Sequence, residues 1–137
     1  MRVTHPWRID YITKNVFIDW AHNEDWLREL GKYLQEVASW YKKIYYCISF
    51  KKWKNIDLLS AMGSLVGREM VLVNYEDEKL ELQATLWSQF DEQHISYMIL
   101  SPEQIMERAE KESDSLFAVF WSLYMIGAFL KYKRIKN

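Results

Sequence analysis

Ser115-Leu116-Phe117-Ala118-Val119-Phe120-Trp121-Ser122-Leu123-Tyr124-Met125-Ile126-Gly127-Ala128-Phe129-Leu130 is the stretch on which the fold turns. It holds 16 residues without a charge, and Lys131, Lys133, Arg134 and Lys136 follow it. A membrane helix needs about 20 apolar residues, whereas this run is shorter and carries two serines. We therefore read it as a buried core element with no membrane attachment. It can be one buried helix. It can equally be a strand, Leu116 to Trp121, followed by a helix that Ser122 caps. Periodicity does not separate these two readings, because the run is apolar on every face.

Upstream of that run the signals are sharper. Ser101-Pro102-Glu103-Gln104 places a capping serine, a proline at the first helical position and a glutamine at the third, which starts a helix. Residues 94–100 form an apolar strand before it. Leu80, Leu82, Ala84 and Leu86 alternate with Glu81, Gln83 and Thr85, the pattern of a half-exposed strand. Met70 to Val73 suits a buried strand, and residues 74–78 a polar turn. Ile56, Leu59, Met62, Leu65 and Val66 recur at helical spacing, with Gly67 to end the helix. Ile44, Tyr46, Ile48 and Phe50 share one face of a strand. Trp26, Leu27, Leu30, Tyr33, Leu34, Val37, Ala38 and Tyr41 mark a helix that Asn23 caps, with Glu24 and Asp25 in its first turn. Residues 7–12 and 16–20 alternate around Thr13-Lys14-Asn15, which predicts a β-hairpin. With strands lying beside their sequence neighbours, the expected fold is a single α+β domain over 1–137. It would be a mainly antiparallel sheet of about five to six strands with packed helices.

The bulk properties agree with one globular unit. The chain has 137 residues, 50% of them hydrophobic and 27% charged, with a net charge of −1. A domain of this size buries roughly two-thirds of the surface its unfolded chain exposes, so it needs no disulfide or metal staple. Cys47 is the one cysteine, so no internal disulfide forms, in keeping with a reducing compartment. Met1 to Trp20 mixes charges into every short window and lacks the apolar core of a signal peptide. The expected location is cytoplasmic.

The search for chemistry returns little. His5, His22 and His94 are isolated, and none sits at ligand spacing from another histidine or from Cys47. No phosphate-binding glycine loop and no nucleophile elbow occur. Asp77, Glu81 and Gln83 are too loose a set for a metal-dependent nuclease, since Gln83 stands where a lysine is needed. No catalytic residue, metal or cofactor is expected. Residues 42–54 interleave five lysines with aromatics, a composition that can grip a phosphate backbone and stack bases. A buried strand with solvated lysines at its ends gives the same composition, and the near-zero net charge does not favour nucleic acid.

An acidic surface is the better candidate. Glu76, Asp77, Glu78, Glu81, Asp91 and Glu92 face only Lys79 across residues 74–92. Trp87 falls among the polar positions of its strand and Phe90 follows in the loop. Acids beside exposed aromatics can steer and anchor a basic protein partner. The 22 aromatic residues, 7 Trp, 9 Tyr and 6 Phe, also leave a homo-oligomer open.

The middle of the chain also resembles a known family. Asp25-Trp26-Leu27-Arg28-Glu29-Leu30-Gly31, Tyr75-Glu76-Asp77-Glu78-Lys79-Leu80-Glu81-Leu82-Gln83 and Ser101-Pro102-Glu103-Gln104-Ile105 resemble, in order and spacing, one family of contact-dependent growth inhibition immunity proteins. The resemblance spans about residues 16–112. It implies a cytoplasmic, non-enzymatic inhibitor that neutralises a cognate protein toxin by covering a functional surface. It also favours a strand and then a helix over 115–132. The alternative reading is a small-molecule-binding protein or an enzyme of unrecognised type, and a second is nucleic-acid binding through residues 42–54.

Overall fold

The computed structural model describes residues 9–20, 23–48, 61–63, 68–74, 95–120 and 123–136. The uncharged run 115–130 divides between two elements: strand β6, Leu116–Phe120, and helix α3, Leu123–Lys136. Every residue of β6 is buried. A strand buried on both faces sits mid-sheet, which is why its sequence shows no alternation.

Among the described residues the sheet holds five more strands: β1 (Ile9–Thr13), β2 (Val16–Asp19), β3 (Ile44–Ile48), β4 (Glu69–Val73) and β5 (Tyr97–Leu100). Their spatial order is β1-β2-β6-β3-β4-β5. β1 and β2 form the expected antiparallel hairpin, Ile9 opposite Asp19 and Tyr11 opposite Phe17. All other pairings, β2 with β6, β6 with β3, β3 with β4 and β4 with β5, are parallel. The mixed α and β composition and the six strands agree with expectation, but the sheet is mostly parallel rather than mainly antiparallel. The physical reason lies in the connections. Helix α1 (Glu24–Val37) separates β2 from β3, and helix α2 (Pro102–Lys111) separates β5 from β6. A helix carries the chain back to the starting edge, so the next strand runs the same way.

The helices cover both faces. Leu27, Leu30, Leu34 and Val37 of α1 pack with Phe17, Ile44, Tyr46, Ile48, Leu72, Ala118 and Phe120. Ile105 and Ala109 of α2, with Met125, Ile126 and Phe129 of α3, pack with Ile18, Tyr45, Cys47, Val71, Phe117 and Val119. Each fully buried aliphatic or phenylalanine side chain contributes about 1.5–3 kcal/mol. In-register neighbours Tyr45 and Phe117 stack across β3 and β6 with ring centroids 4.3 Å apart.

Both helix starts follow the sequence. The Asn23 side chain accepts from the backbone N–H of Trp26 at 2.9 Å. Ser101 and Gln104 form a reciprocal capping box, at 3.1 and 2.8 Å. Met62 packs on the α1 face, and Gly31 is what lets it do so. A Cβ there would meet the Met62 carbonyl oxygen at 2.5 Å. The next residue, Gly63, has φ +94°, a left-handed conformation that side chains resist. Among the described residues no helix is long and apolar enough to cross a membrane.

Candidate functional site

The site follows from the way the chain leaves the sheet. At the carboxyl ends of the parallel strands, Asp19 of β2, Phe120 of β6 and Ile48 of β3 stand side by side in register. β2 exits to α1 on one face. β6, its neighbour, exits to α3 on the other. On β6's far side, β3 is followed in sequence by Met62, which again packs on the α1 face. Adjacent strands whose connections part to opposite faces leave a crevice between them at the carboxyl edge. Open sheets of this kind use that crevice for ligands.

Asp19 marks the spot chemically. It is fully buried, and it is the one charged residue among the buried described residues. A carboxylate with no solvent contact needs donors, from the protein or from a bound molecule. The residue after it, Trp20, is partly buried against the α2–α3 face. Asn23 then caps α1, so the sequence from Asp19 to Asn23 joins a strand end to a helix start. Ser101 and the α2 capping box stand at the same edge, after β5, and Asn74 N–H donates to Leu100 O at 2.8 Å to tie β4 to β5 there.

Sequence reading missed Asp19 as a site. Alternation placed it simply among the polar positions of the hairpin. The overlooked signal was an acid closing a buried strand a few residues before a helix cap. The residues chosen instead, Glu76, Asp77, Glu78, Glu81, Trp87, Phe90, Asp91 and Glu92, lie outside the described residues. So do His5, His22, His94 and, apart from residues 61–63, the helix expected from Ile56 to Val66. Of the basic-aromatic segment 42–54, Lys42 and Lys43 are exposed, Ile44–Ile48 are core, and residues 49–54 lie outside the described residues. Tyr45 and Tyr46 are each 1% exposed and offer no face for a base to stack on. Cys47 is fully buried in β3, and burial pushes its thiol well up, away from the thiolate. Among the described residues no group of three or more His, Cys, Asp or Glu is placed to hold a metal ion.

Two polar clusters at the opposite edge are structural. The Asn15 amide donates to the carbonyls of Ala109, Glu112 and Ser115 at 2.9, 3.2 and 3.0 Å, fastening the hairpin turn to the end of α2. Tyr45 Oη donates to Glu112 Oε1 at 2.6 Å, and Arg108 Nε donates to Glu112 Oε2 at 2.7 Å. Burial, then the bond to Glu112, pushes the Tyr45 phenol up to about 12. Burial disfavours the Glu112 carboxylate. The bonds from Tyr45 and Arg108 outweigh it and hold that carboxyl below its usual value.

No protein-family model matches the chain, and no curated protein does. Two solved structures resemble it. Folylpolyglutamate synthetase from Helicobacter pylori superposes with a TM-score of 0.64 at 18% identity, over 98% of this chain and 33% of that one. UDP-N-acetylmuramate-alanine ligase from Thermotoga maritima gives a TM-score of 0.46 at 15% identity, over 89% of this chain and 27% of that one. The chain thus spans about a third of the synthetase's length. At this identity the first likeness speaks for a shared fold. It overturns the expectation of a toxin-neutralising immunity protein, since the fold of this chain, over 98% of its length, is found in a synthetase.

Proposed function

We propose that this domain is a small-molecule-binding unit of a synthetase-type protein, with its ligand seated at the carboxyl edge of the parallel sheet. The observation that carries this reading is the buried Asp19 at the point where β2, β6 and β3 send the chain to opposite faces. The shared fold with a folylpolyglutamate synthetase over nearly the whole chain supports it. A carboxylate there suits a ligand that offers hydroxyl or amine donors. In this reading the domain's part is to hold and orient that ligand.

The test is a thermal-shift panel of ATP, folate and glutamate against the wild type and Asp19→Asn. At about ten times its dissociation constant, a ligand adds about 1.4 kcal/mol. For a domain of this size that raises the melting temperature by about 3–6 °C. At least one of the three should do so, and Asp19→Asn should abolish the shift. If none raises it, or if the variant responds as fully as the wild type, the assignment is wrong.

A further inference from the structure

A second concavity lies over α2 and α3, and the proposed function does not use it. It is an open groove of about 870 Å³ that runs along α2 from Glu103 to Glu110 and on to Ser113 just beyond it, faces Lys131 and Tyr132 of α3, and ends at the β1–β2 turn. Small-molecule sites span roughly 300–1,000 Å³. Ile12 and Met106 give it apolar surface.

The charges divide by wall. Glu103, Glu107 and Glu110 line the α2 side. Lys131 lines the α3 side, and Lys14 closes the end at the turn. Neither the three acids nor the two lysines make an ion pair among the described residues. The groove holds one further unused group. The Tyr132 hydroxyl oxygen is shielded from solvent and has no hydrogen-bond partner among the described residues. The Lys131 ammonium lies 5.3 Å from the centre of the Tyr132 ring. Glu103 and Glu107 are near enough that their charges, after burial itself, help to raise the Tyr132 phenol.

We propose that this groove binds a zwitterionic amphiphile: a molecule with an ammonium at one end, a carboxylate at the other and an apolar stem between. The ammonium meets the α2 acids and the carboxylate meets Lys131 and Lys14. A purely cationic ligand would set its charge against the two lysines, and a purely anionic one against the three acids. The stem rests on Ile12 and Met106.

Amide chemical shifts of the full chain test this with ε-aminocaproate, hexylamine and caproate as probes. The expected result is saturable shifts with ε-aminocaproate at the β1–β2 turn and along α2. Each single-charge analogue should bind at least about threefold more weakly, as loss of an exposed charge contact implies. Glu107→Gln and Lys131→Gln are solvent-facing changes that leave the core alone, and each should weaken ε-aminocaproate by about the same factor. Three results would each overturn the proposal: no saturable shift, equal binding of either analogue, or unchanged binding by both variants.

Discussion

Gly31 and Gly127 both sit inside helices, and replacing each with alanine should change stability in opposite directions. A glycine inside a helix costs roughly 0.5–1 kcal/mol relative to alanine, so propensity alone favours both changes. Gly127 is exposed, and a new Cβ there meets nothing within 4 Å. Gly127→Ala should therefore stabilise by about 0.5–1 kcal/mol. At Gly31 the new Cβ would fall 2.5 Å from the Met62 carbonyl oxygen, 2.6 Å from its Cα and 2.8 Å from its carbonyl carbon. All three are backbone atoms, so no rotamer change relieves them. The 61–63 segment must lift off α1, which thins the packing around Met62. Overpacking of this kind costs about 1–3 kcal/mol, so after the propensity gain the net effect is a loss of up to about 2.5 kcal/mol. Urea unfolding followed by far-ultraviolet circular dichroism reads both variants on one scale, provided the slope with denaturant is unchanged. If Gly31→Ala matched or exceeded Gly127→Ala in stability, the close approach of Met62 to α1 would be wrong.

Other outcomes follow from the polar clusters and the buried thiol. Asn15→Ala removes three bonds to carbonyls at the end of α2 and should cost about 2–3 kcal/mol in the same unfolding assay, whereas Lys14→Ala beside it should be near neutral. The Glu112 carboxyl is held below its usual value of 4.5, so its contribution is present above that pH and is lost as pH falls through the lower folded value. Glu112→Gln should accordingly flatten the acid side of the stability–pH curve; an unchanged curve would remove the Tyr45–Glu112–Arg108 cluster from the account. Cys47 should resist a thiol-specific disulfide reagent at mildly alkaline pH in the native protein and react at once in denaturant. Fast native labelling would mean that β3 is not the central, closed strand described above.

Much of this protein could be read residue by residue. Asn23 and Ser101 announce their helices because capping is a local bargain between a side chain and the next few backbone N–H groups. The hairpin at Lys14-Asn15 was legible for the same reason, since its partners are sequence neighbours. Leu116–Phe120 was ambiguous in sequence because burial on both faces erases the alternation that would reveal a strand. Its parallel placement between β2 and β3 was not read, although α1 and α2 between the strands carried the hint. Expecting strands to lie beside their sequence neighbours pointed to an antiparallel sheet instead.

The site was the least legible part. Asp19, Ile48 and Phe120 are far apart in the chain and become neighbours only through the order β2-β6-β3. The groove likewise joins Lys14, Glu107 and Lys131 from three separate elements. Sequence by itself determined the caps, the turn and most of the elements, since those rest on contacts a few residues long. Only tertiary structure decided which strand lies beside which. That choice depends on how whole faces of helix and sheet bury one another, and it alone put a carboxylate at the crevice.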